Sequence, residues 1–331
     1  MRPPRFWHSA DGKPGWQARL LSPLGALYAA GTRWRLAKGP GYRAGCPVIC
    51  IGNINAGGTG KTPTAIACAQ ILTAAGLKVA IVSRGYGGSM TGPVRVAEDR
   101  HSAADVGDEP LLLAAFVPTW VAKDRASGVQ AAEAWGADAI LLDDGLQSPS
   151  VVKDASIVVV DAQRGFGNRQ VIPAGPLREP VSVGMERADV LVSVGNATAQ
   201  ERFDRLWGDS VTVPRVKATL KPLPTGMAWE GLPVLAFAGI GHPEKFFATL
   251  RELGANLLRA EALSDHQPLT PALMARIEGE AKLLGAQMVT TEKDAVRLPD
   301  AFRQKVLTVP VRLAFEDPGP IVALFERVIP R

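Results

Sequence analysis

The stretch Asn55-Ala56-Gly57-Gly58-Thr59-Gly60-Lys61-Thr62 decides the fold of this 331-residue chain. It follows the apolar run 47–51 and opens a segment of helical character, 61–75. A glycine-rich turn between a strand and a helix is typical of a phosphate-binding loop, because its backbone N–H groups and the helix N-terminus attract anions. The lysine of such a loop reaches the β- and γ-phosphates, and the threonine ligates Mg²⁺. The stretch therefore predicts a nucleoside triphosphate site in preference to a plain turn.

The first position of the loop departs from the usual pattern. It holds Asn55 where glycine is usual. Asparagine tolerates left-handed backbone conformations better than most residues, so the departure is compatible with a phosphate-binding loop.

Composition places the chain among ordinary globular proteins. Hydrophobic residues make up 47% and charged residues 21%, and at about 150 residues per domain the length predicts two lobes. The three cysteines include no CxxC pair, which argues against a disulfide scaffold or a zinc site and favours a reducing cytosol. No apolar run reaches the ~18 residues of a transmembrane helix, and no signal peptide is evident.

The positive charge is concentrated at the N-terminus. Residues 1–45 hold eight Arg and Lys residues against Asp11 alone, a net charge of +7 within a chain total of +5, so the rest carries −2. The body shows no basic stripe interleaved with aromatics, and we expect no nucleic-acid partner. Ser22 and Pro23 predict the start of a helix over 23–38. Its leucines, aromatic rings and basic residues fit an amphipathic helix on an anionic membrane surface, or equally a helix docked on the protein with a solvated basic face.

From residue 47 onwards strands and helices alternate, which predicts an α/β fold with a parallel sheet covered on both faces. We expect a P-loop NTPase-type sheet as the core and a second, smaller α/β lobe. The predicted strands are 47–52, 78–83, 93–97, 119–122, 138–142, 156–160, 189–194, 233–238, 256–260, 287–290 and 306–311. The predicted helices after the arm are 61–75, 109–116, 124–135, 180–187, 198–206, 243–254, 271–284 and 319–328. The predicted domains are a basic amphipathic N-terminal arm (1–45), a P-loop lobe (46–210), an extended linker (211–230) and a second α/β lobe (231–331).

Two carboxylates end an apolar strand at Asp143 and Asp144. Ligands of open α/β sheets bind at the carboxyl ends of the strands, and an acidic residue there positions Mg²⁺ in many P-loop proteins. Asp108 is a candidate general base in the turn before a helix. Glu109 is expected only to stabilise the first turn of that helix through its negative charge. A lone histidine such as His266 is more often structural than catalytic.

Other P-loop classes fit less well. A GTPase needs an Asn-Lys-x-Asp motif, which the sequence lacks, and a partitioning ATPase needs a lysine where Ala56 stands. A transport ATPase needs a transporter signature. A kinase of a small molecule or lipid remains, with a second lobe to close on the acceptor; a partner-regulated ATPase switch is the alternative.

Several short motifs together resemble the tetraacyldisaccharide 4′-kinase (lipid A 4′-kinase) family. They occur in the family's order between about residues 20 and 328. They are Gly57-Gly58-Thr59-Gly60-Lys61-Thr62-Pro63, Ser83-Arg84-Gly85-Tyr86-Gly87, Gly107-Asp108-Glu109-Pro110, Asp143-Asp144-Gly145-Leu146-Gln147, Pro176-Leu177-Arg178-Glu179-Pro180 and Thr291-Glu292-Lys293-Asp294-Ala295-Val296. The resemblance also favours the membrane interpretation of the arm.

The resemblance implies transfer of the γ-phosphate of ATP, with Mg²⁺, to the 4′-hydroxyl of a tetraacyldisaccharide 1-phosphate. It implies a location at the cytoplasmic face of the bacterial inner membrane, bound peripherally. We also expect a monomer without an obligate protein partner. By the same resemblance Asp108 and His266 form the base dyad, although His266 is followed by Gln267 where many relatives carry a second histidine. The other implied roles are nucleotide binding by the loop at 55–62, metal binding by Thr62, Asp143, Asp144 and Glu179, and substrate or phosphate contacts from Tyr86, Arg125, Gln147 and Arg178.

Overall fold

The computed structural model describes residues 4–9, 11–39, 41–264 and 267–329. The strands in these ranges are β1 (Val48–Gly52), β2 (Val79–Ser83), β3 (Val94–Arg95), β4 (Thr119–Val121), β5 (Ala139–Asp143), β6 (Ala155–Asp161), β7 (Val190–Val194), β8 (Arg215–Pro222), β9 (Pro233–Ala238), β10 (Asn256–Ala262), β11 (Gln287–Thr291), β12 (Val306–Val309) and β13 (Val311–Phe315). The helices are α1 (Trp16–Leu36), α2 (Lys61–Ala74), α3 (Ala103–Val106), α4 (Asp108–Ala114), α5 (Arg125–Ala134), α6 (Val181–Met185), α7 (Ala197–Trp207), α8 (Pro243–Glu252), α9 (Pro271–Leu284), α10 (Glu292–Ala295), α11 (Asp300–Arg303) and α12 (Gly319–Val328). Single 3₁₀ turns lie at Arg5–Trp7 and Gly208–Ser210.

The large sheet has the strand order β13-β8-β7-β6-β1-β5-β2-β4-β3. All its pairings are parallel except those of the edge strands β3 and β13. Strands β1, β5, β6 and β7 are buried at every residue, because helices cover both faces. One face packs against α2 and α12, and the other against α5, α6 and α7. The predicted α/β class and its P-loop-type core are therefore confirmed.

This strand order determines which loops meet at the site. The strand β1, which leads into the predicted phosphate loop, lies between β5 and β6, with β2 and β4 beyond β5. Since these strands are parallel, their carboxyl ends share one edge of the sheet. The loops after β1, β2, β4 and β5 carry most of the predicted site residues and therefore converge there.

A second sheet has four parallel strands in the order β10-β9-β11-β12. Its two faces pack against α8 on one side and α9 on the other, around Phe247 and Ile277. Its loop after β11 continues into α10, which packs against α4 of the large-sheet unit. The smaller lobe therefore presents the carboxyl end of one strand to the start of α4.

The chain enters and leaves the second lobe at neighbouring points. Residues 211–230, assigned from the sequence to an extended linker, include β8, a strand of the large sheet. After β12 the chain returns to pair β13 with β8, with Val311 opposite Pro222. The Leu223 N–H donates to the Pro310 carbonyl at 2.9 Å beside this pair. Strand β13 and helix α12, both expected in the second lobe, thus belong to the large sheet and its cover.

Helix α1 begins at Trp16, seven residues before the predicted start at Pro23. A proline inside a helix leaves the carbonyl four residues earlier without its N–H donor. That carbonyl belongs to Arg19, and the Ser22 hydroxyl donates to it at 2.8 Å. Ser22 therefore compensates for the proline within the helix instead of capping its start.

Helix α1 docks through a stripe of small residues seven apart, Ala18, Gly25 and Thr32. A Cβ on Gly25 would lie 2.8 Å from the Val171 carbonyl oxygen, so only glycine allows this close approach. The opposite face leaves large apolar side chains in solvent: Trp16, Leu20, Leu24, Leu27 and Trp34. In the described ranges, no helix combines the length and apolar character that a bilayer span requires.

Candidate active site

The predicted phosphate loop joins β1 to α2 as expected. Gly60 has a φ of +97° immediately before Lys61, the first residue of α2. A Cβ placed on Gly57 or Gly58 would meet nothing within 4 Å, so there is open space beside both glycines. The buried Asn53 amide donates to the Thr59 hydroxyl at 3.1 Å and holds the end of the loop. The loop thus leads into a helix N-terminus with open space beside it, an arrangement that suits a phosphate site.

Asn55 has a different role from the one inferred from its sequence position. The described non-glycine residues with positive φ are Asp144 and Arg169, and Asn55 is not among them. Its side-chain amide instead donates to the Gly165 carbonyl at 3.0 Å. The next N–H, that of Ala56, donates to the Pro176 carbonyl at 2.7 Å. Asn55 is therefore a side-chain anchor that ties the loop to a neighbouring segment.

The segment that contains Pro176 also brings Arg178 to the phosphate loop. Its N–H donates to the Ile54 carbonyl at 2.7 Å, and its guanidinium donates to Asp144 Oδ1 at 2.9 Å. Lys61 Nζ lies 3.7 Å from the same oxygen. Burial raises the pKa of Asp144, but the charges of Lys61 and Arg178 outweigh it and hold that pKa below its usual value. Asp144 is thus an ionised carboxylate between two cations.

Arg125 approaches from the first residue of α5, just after the loop that follows β4. Its guanidinium donates to the Asp144 carbonyl at 2.7 Å. Burial lowers the pKa of Arg125, and the charge of Asp144 opposes that change. The structure therefore brings Lys61, Arg125 and Arg178 together around one aspartate, and these cations are available to a polyphosphate.

Asp143 is a buried carboxylate with one oxygen unused. Its Oδ2 accepts from the Ser83 hydroxyl at 2.9 Å, while Oδ1 has no hydrogen-bond partner within the described ranges. Burial, followed by the nearby charge of Glu109, raises the pKa of Asp143 to about 7. A buried carboxylate oxygen without a partner fits a cation ligand, because the cation would offset the cost of burying the charge.

The donor set suits Mg²⁺, which prefers oxygen ligands and keeps several waters. Asp143, Asp144 and the Thr62 hydroxyl at the start of α2 supply such oxygens. Among the described residues, no group of three or more His, Cys, Asp or Glu side chains is arranged to hold a metal ion.

Glu179, the fourth predicted metal ligand, is 1% exposed and already engaged. Its Oε1 accepts from Gln147 at 2.8 Å, and its Oε2 accepts from Arg187. Gln147 also donates to the Asn53 carbonyl and accepts from Arg178 at 3.2 Å. Glu179 thus supports Gln147 from behind in this arrangement. Sequence reasoning missed Arg187 and Asn53, since neither belongs to a recognisable motif.

Asp108 and Glu109 open α4 at the same edge. Asp108 is 5% exposed, and its Oδ1 accepts from the Glu109 N–H at 3.0 Å. Lys293 reaches across from α10, with Nζ 3.1 Å from Glu109 Oε1 and 3.8 Å from Asp108 Oδ2. Glu109, expected only to cap the helix, thus forms an ion pair between the lobes. The predicted partner of Asp108, His266, lies outside the described residues.

The loop that precedes α9 is held by the motif around Lys293. Asp294 is fully buried, and its Oδ2 accepts from the Gly239 N–H at 3.0 Å. Its Oδ1 pairs with Arg297, which also donates to the Gln267 carbonyl at 3.2 Å. Asp294 and Arg297 therefore hold Gly239 and Gln267 in the second lobe, while Lys293 contacts the acidic pair at the start of α4.

Tyr86 lies in the loop after β2 and is 78% exposed. A Cβ on Gly107 would lie 2.6 Å from the Tyr86 carbonyl oxygen, so this loop packs directly against the residue before Asp108. The predicted substrate contact is thus a solvent-facing ring beside the candidate base.

Comparison with known proteins gives one consistent result. A family model described as Tetraacyldisaccharide-1-P 4′-kinase matches residues 17–329. The chain is 60% identical to the tetraacyldisaccharide 4′-kinase of Dinoroseobacter shibae, covering all of this chain and 98% of the relative. It is 49% identical to that of Rhodospirillum rubrum, covering 99% of this chain and 98% of the relative.

A solved structure agrees with these relatives. The crystal structure of an "apo" form of LpxK from Aquifex aeolicus in complex with ATP superposes with a TM-score of 0.76 at 26% identity. The match covers 95% of this chain and 99% of that one. An ATPase switch is not favoured by any of these similarities. On its sequence, its fold and the geometry of its phosphate loop, the chain belongs to the tetraacyldisaccharide 4′-kinase family.

Proposed function

We propose that this protein transfers the γ-phosphate of ATP to the 4′-hydroxyl of a tetraacyldisaccharide 1-phosphate, giving the 4′-phosphorylated lipid A precursor, lipid IVA. The observation that carries the proposal is the convergence of an open phosphate loop, a cation-flanked aspartate and a buried candidate base at one sheet edge in a member of this family. A phosphate donor and a hydroxyl acceptor can therefore meet there.

Phosphoryl transfer depends mainly on positioning and charge stabilisation. The loop N–H groups and Lys61 would hold the β- and γ-phosphates of ATP. Arg125 and Arg178 would offset charge on the transferring group, since both already contact Asp144 at hydrogen-bond distance. Gln147 keeps Arg178 in place by accepting from it.

Thr62, Asp143 and Asp144 would hold Mg²⁺. When bound, the metal neutralises charge on the phosphate oxygens. Glu179 is the fourth proposed ligand, and its present contacts favour a supporting position behind Gln147. In both cases, as a metal ligand or as a support for Gln147, the Glu179 carboxylate acts on the residues around Gln147 and Arg178.

Asp108 would accept the proton of the sugar hydroxyl. A general base needs hydrogen-bond access to that proton and a fixed orientation. The Glu109 N–H holds one oxygen of Asp108, and the Lys293 ammonium faces the other. We propose that His266 completes the dyad and that Tyr86, exposed beside this base, contacts the substrate.

We further propose that the protein acts as a monomer, bound peripherally to the cytoplasmic face of the inner membrane through α1. The exposed face of α1 carries three leucines and two tryptophans, with exposed basic residues alongside at Arg19, Arg33 and Arg35. Apolar side chains and cations on one helix suit the interface of an anionic leaflet. The helix would place the acyl chains of the substrate on the same side as the bilayer.

A radiolabelled transfer assay tests the function directly. The protein is incubated with γ-labelled ATP, Mg²⁺ and a tetraacyldisaccharide 1-phosphate in detergent, with labelled GTP in a parallel reaction. We expect label in the lipid product at the 4′ position, strongly reduced with the Lys61→Ala variant. Hydrolysis of ATP without any label in the lipid would refute the kinase assignment and favour an ATPase.

A further inference from the structure

Arg187 lies behind the site, at the far end of a chain of hydrogen bonds. It donates to Glu179 Oε2 and, at 2.6 Å, to the Leu146 carbonyl. From Glu179 the contacts continue through Gln147 to Arg178 and Asp144. Arg187 thus connects through the side chains of Glu179, Gln147 and Arg178 to Asp144, which it does not contact itself.

The centre of this chain is the Gln147 amide, whose orientation matters. Its nitrogen donates to Glu179 Oε1 and to the Asn53 carbonyl, both at 2.8 Å, and its oxygen accepts from Arg178. A flipped amide would place oxygen against two acceptors and NH₂ against a cation. The negative charge of Glu179 therefore keeps Gln147 in the orientation that holds Arg178.

The Glu179 side chain is 2% exposed, so it has little access to water. A buried carboxylate that loses its paired cation is destabilising, and its side chain moves to find another partner. Arg187 supplies the compensating cation at hydrogen-bond distance. Removing that cation would allow the Gln147 amide to turn. The Arg178 guanidinium would then lose the Gln147 oxygen as an acceptor and keep Asp144.

The outer side of the Arg187–Glu179 pair faces α1. A cavity of about 170 Å³ separates them, lined by Ala29, Thr32, Arg33 and Leu36 of α1 and by Glu179 and Arg187 on the other wall. Helix α1 therefore lies across this cavity from the pair, in which Arg187 is 30% exposed and Glu179 only 2%. Loss of the cation is costly chiefly because it leaves the buried carboxylate without its partner.

We propose that Arg187 is a positioning residue of the phosphoryl transfer: by neutralising Glu179 it fixes Gln147, and through Gln147 it holds Arg178 against Asp144. The proposal rests on the kinase function proposed above. Because Arg187 touches neither phosphate nor acceptor in this role, its loss acts on the arrangement of the cations and not on acceptor binding.

The test compares Arg187→Met, Arg187→Lys, Glu179→Gln and the double variant Glu179→Gln/Arg187→Met with the wild type. Arg327→Met is the matched control, since Arg327 pairs with Asp189 on the surface, away from the site. Misplacing a catalytic group by about 1 Å costs on the order of 10²-fold. We therefore expect Arg187→Met to lower kcat by about 10- to 100-fold with little change in the acceptor KM, Arg187→Lys to recover most of that loss, and the control to match the wild type.

The decisive readout is the double variant. If Arg187 acts by neutralising Glu179, Arg187→Met costs less than about threefold once residue 179 is neutral, because the two side chains act as one unit. Equal fold losses in both backgrounds, or an unchanged kcat in Arg187→Met, would overturn the proposal. If Arg187→Met folds poorly, the double variant, which has no orphaned charge, and Arg187→Lys still decide between these outcomes.

A second readout separates this proposal from the kinase assignment. Binding of a non-hydrolysable ATP analogue is titrated with Mg²⁺ in each variant, without acceptor. We expect Arg187→Met to need more Mg²⁺ for half-maximal binding and the double variant to need no more than Glu179→Gln alone. This result would support the positioning role even if the wild type failed to phosphorylate the lipid, whereas identical titrations in all variants would refute it.

Discussion

Three leucines on α1 should dominate the attraction to membranes. Leu20, Leu24 and Leu27 are 72%, 52% and 70% exposed, which together equals about two fully exposed leucine side chains. Burying one leucine contributes about 1.5–3 kcal/mol, so inserting all three would contribute about 3–6 kcal/mol. At about 1.4 kcal/mol per factor of ten, replacing all three with glutamine should weaken partitioning by about 10²- to 10⁴-fold. Leucine and glutamine have similar helix propensities, so α1 itself should persist.

Flotation with vesicles that contain anionic lipid measures this partitioning. The matched control replaces Leu258, Leu283 and Leu284 of the second lobe with glutamine, because these are 43%, 90% and 41% exposed but lie away from α1. We expect the wild type and the control to float and the α1 variant to remain in solution, while activity on detergent-dispersed substrate is kept. The residual binding should fall at high salt, since exposed arginines on α1 contribute about 1 kcal/mol each near an anionic surface. Equal flotation of the two triple variants would refute an apolar contact by α1.

Four further outcomes follow from the site. Lys61→Ala should lower kcat/KM by at least ~10²-fold in a folded protein; near-normal turnover would remove the phosphate-loop assignment. Asp108→Asn and His266→Ala should each reduce kcat, and the double variant should be little worse than the worse single one; fully multiplicative losses would mean separate roles. Asp144→Asn should raise the Mg²⁺ concentration for half-maximal activity, because it removes an anionic oxygen; an unchanged titration would make Asp144 structural. Lys293→Met should lower kcat about tenfold, equivalent to ~1.4 kcal/mol, with a smaller effect on thermal unfolding; an unaltered kcat would limit Lys293 to packing.

The sequence predicted the sheet class, the strand, turn and helix around residues 55–62 and the acidic end of β5, because these depend on local patterns. A strand, a glycine-rich turn and a lysine at a helix start are contiguous, and parallel order brings strand ends together. Contacts that run from one loop to another through several side chains leave no such local pattern in the sequence. Arg187 acquires its position only when α6, the loop after β5 and the segment before Glu179 fold against one another.

The differences between the predicted and the observed helices and strands have specific causes. The start of α1 was misplaced because Ser22-Pro23 resembles a capped helix start, whereas the Ser22 hydroxyl satisfies the carbonyl that Pro23 leaves open. Strand β8 alternates half-buried and buried residues at its start and lies next to the edge of the sheet, so its sequence resembled an extended connection. Its partner β13 follows about ninety residues later, a separation that local periodicity does not reveal.

The pairing of Pro222 with Val311 makes the second lobe an insertion whose two ends coincide. The cost of closing a loop grows only slowly with its length, so the large sheet can accept such an insertion at one edge without changing its register. A rotation of the inserted lobe would need new backbone angles only at these two adjacent crossing points, and the sheet strands would stay paired. Such a rotation would pivot beside the hydrogen bond between Leu223 and Pro310, and it would change the distance between Lys293 and the acidic pair on α4.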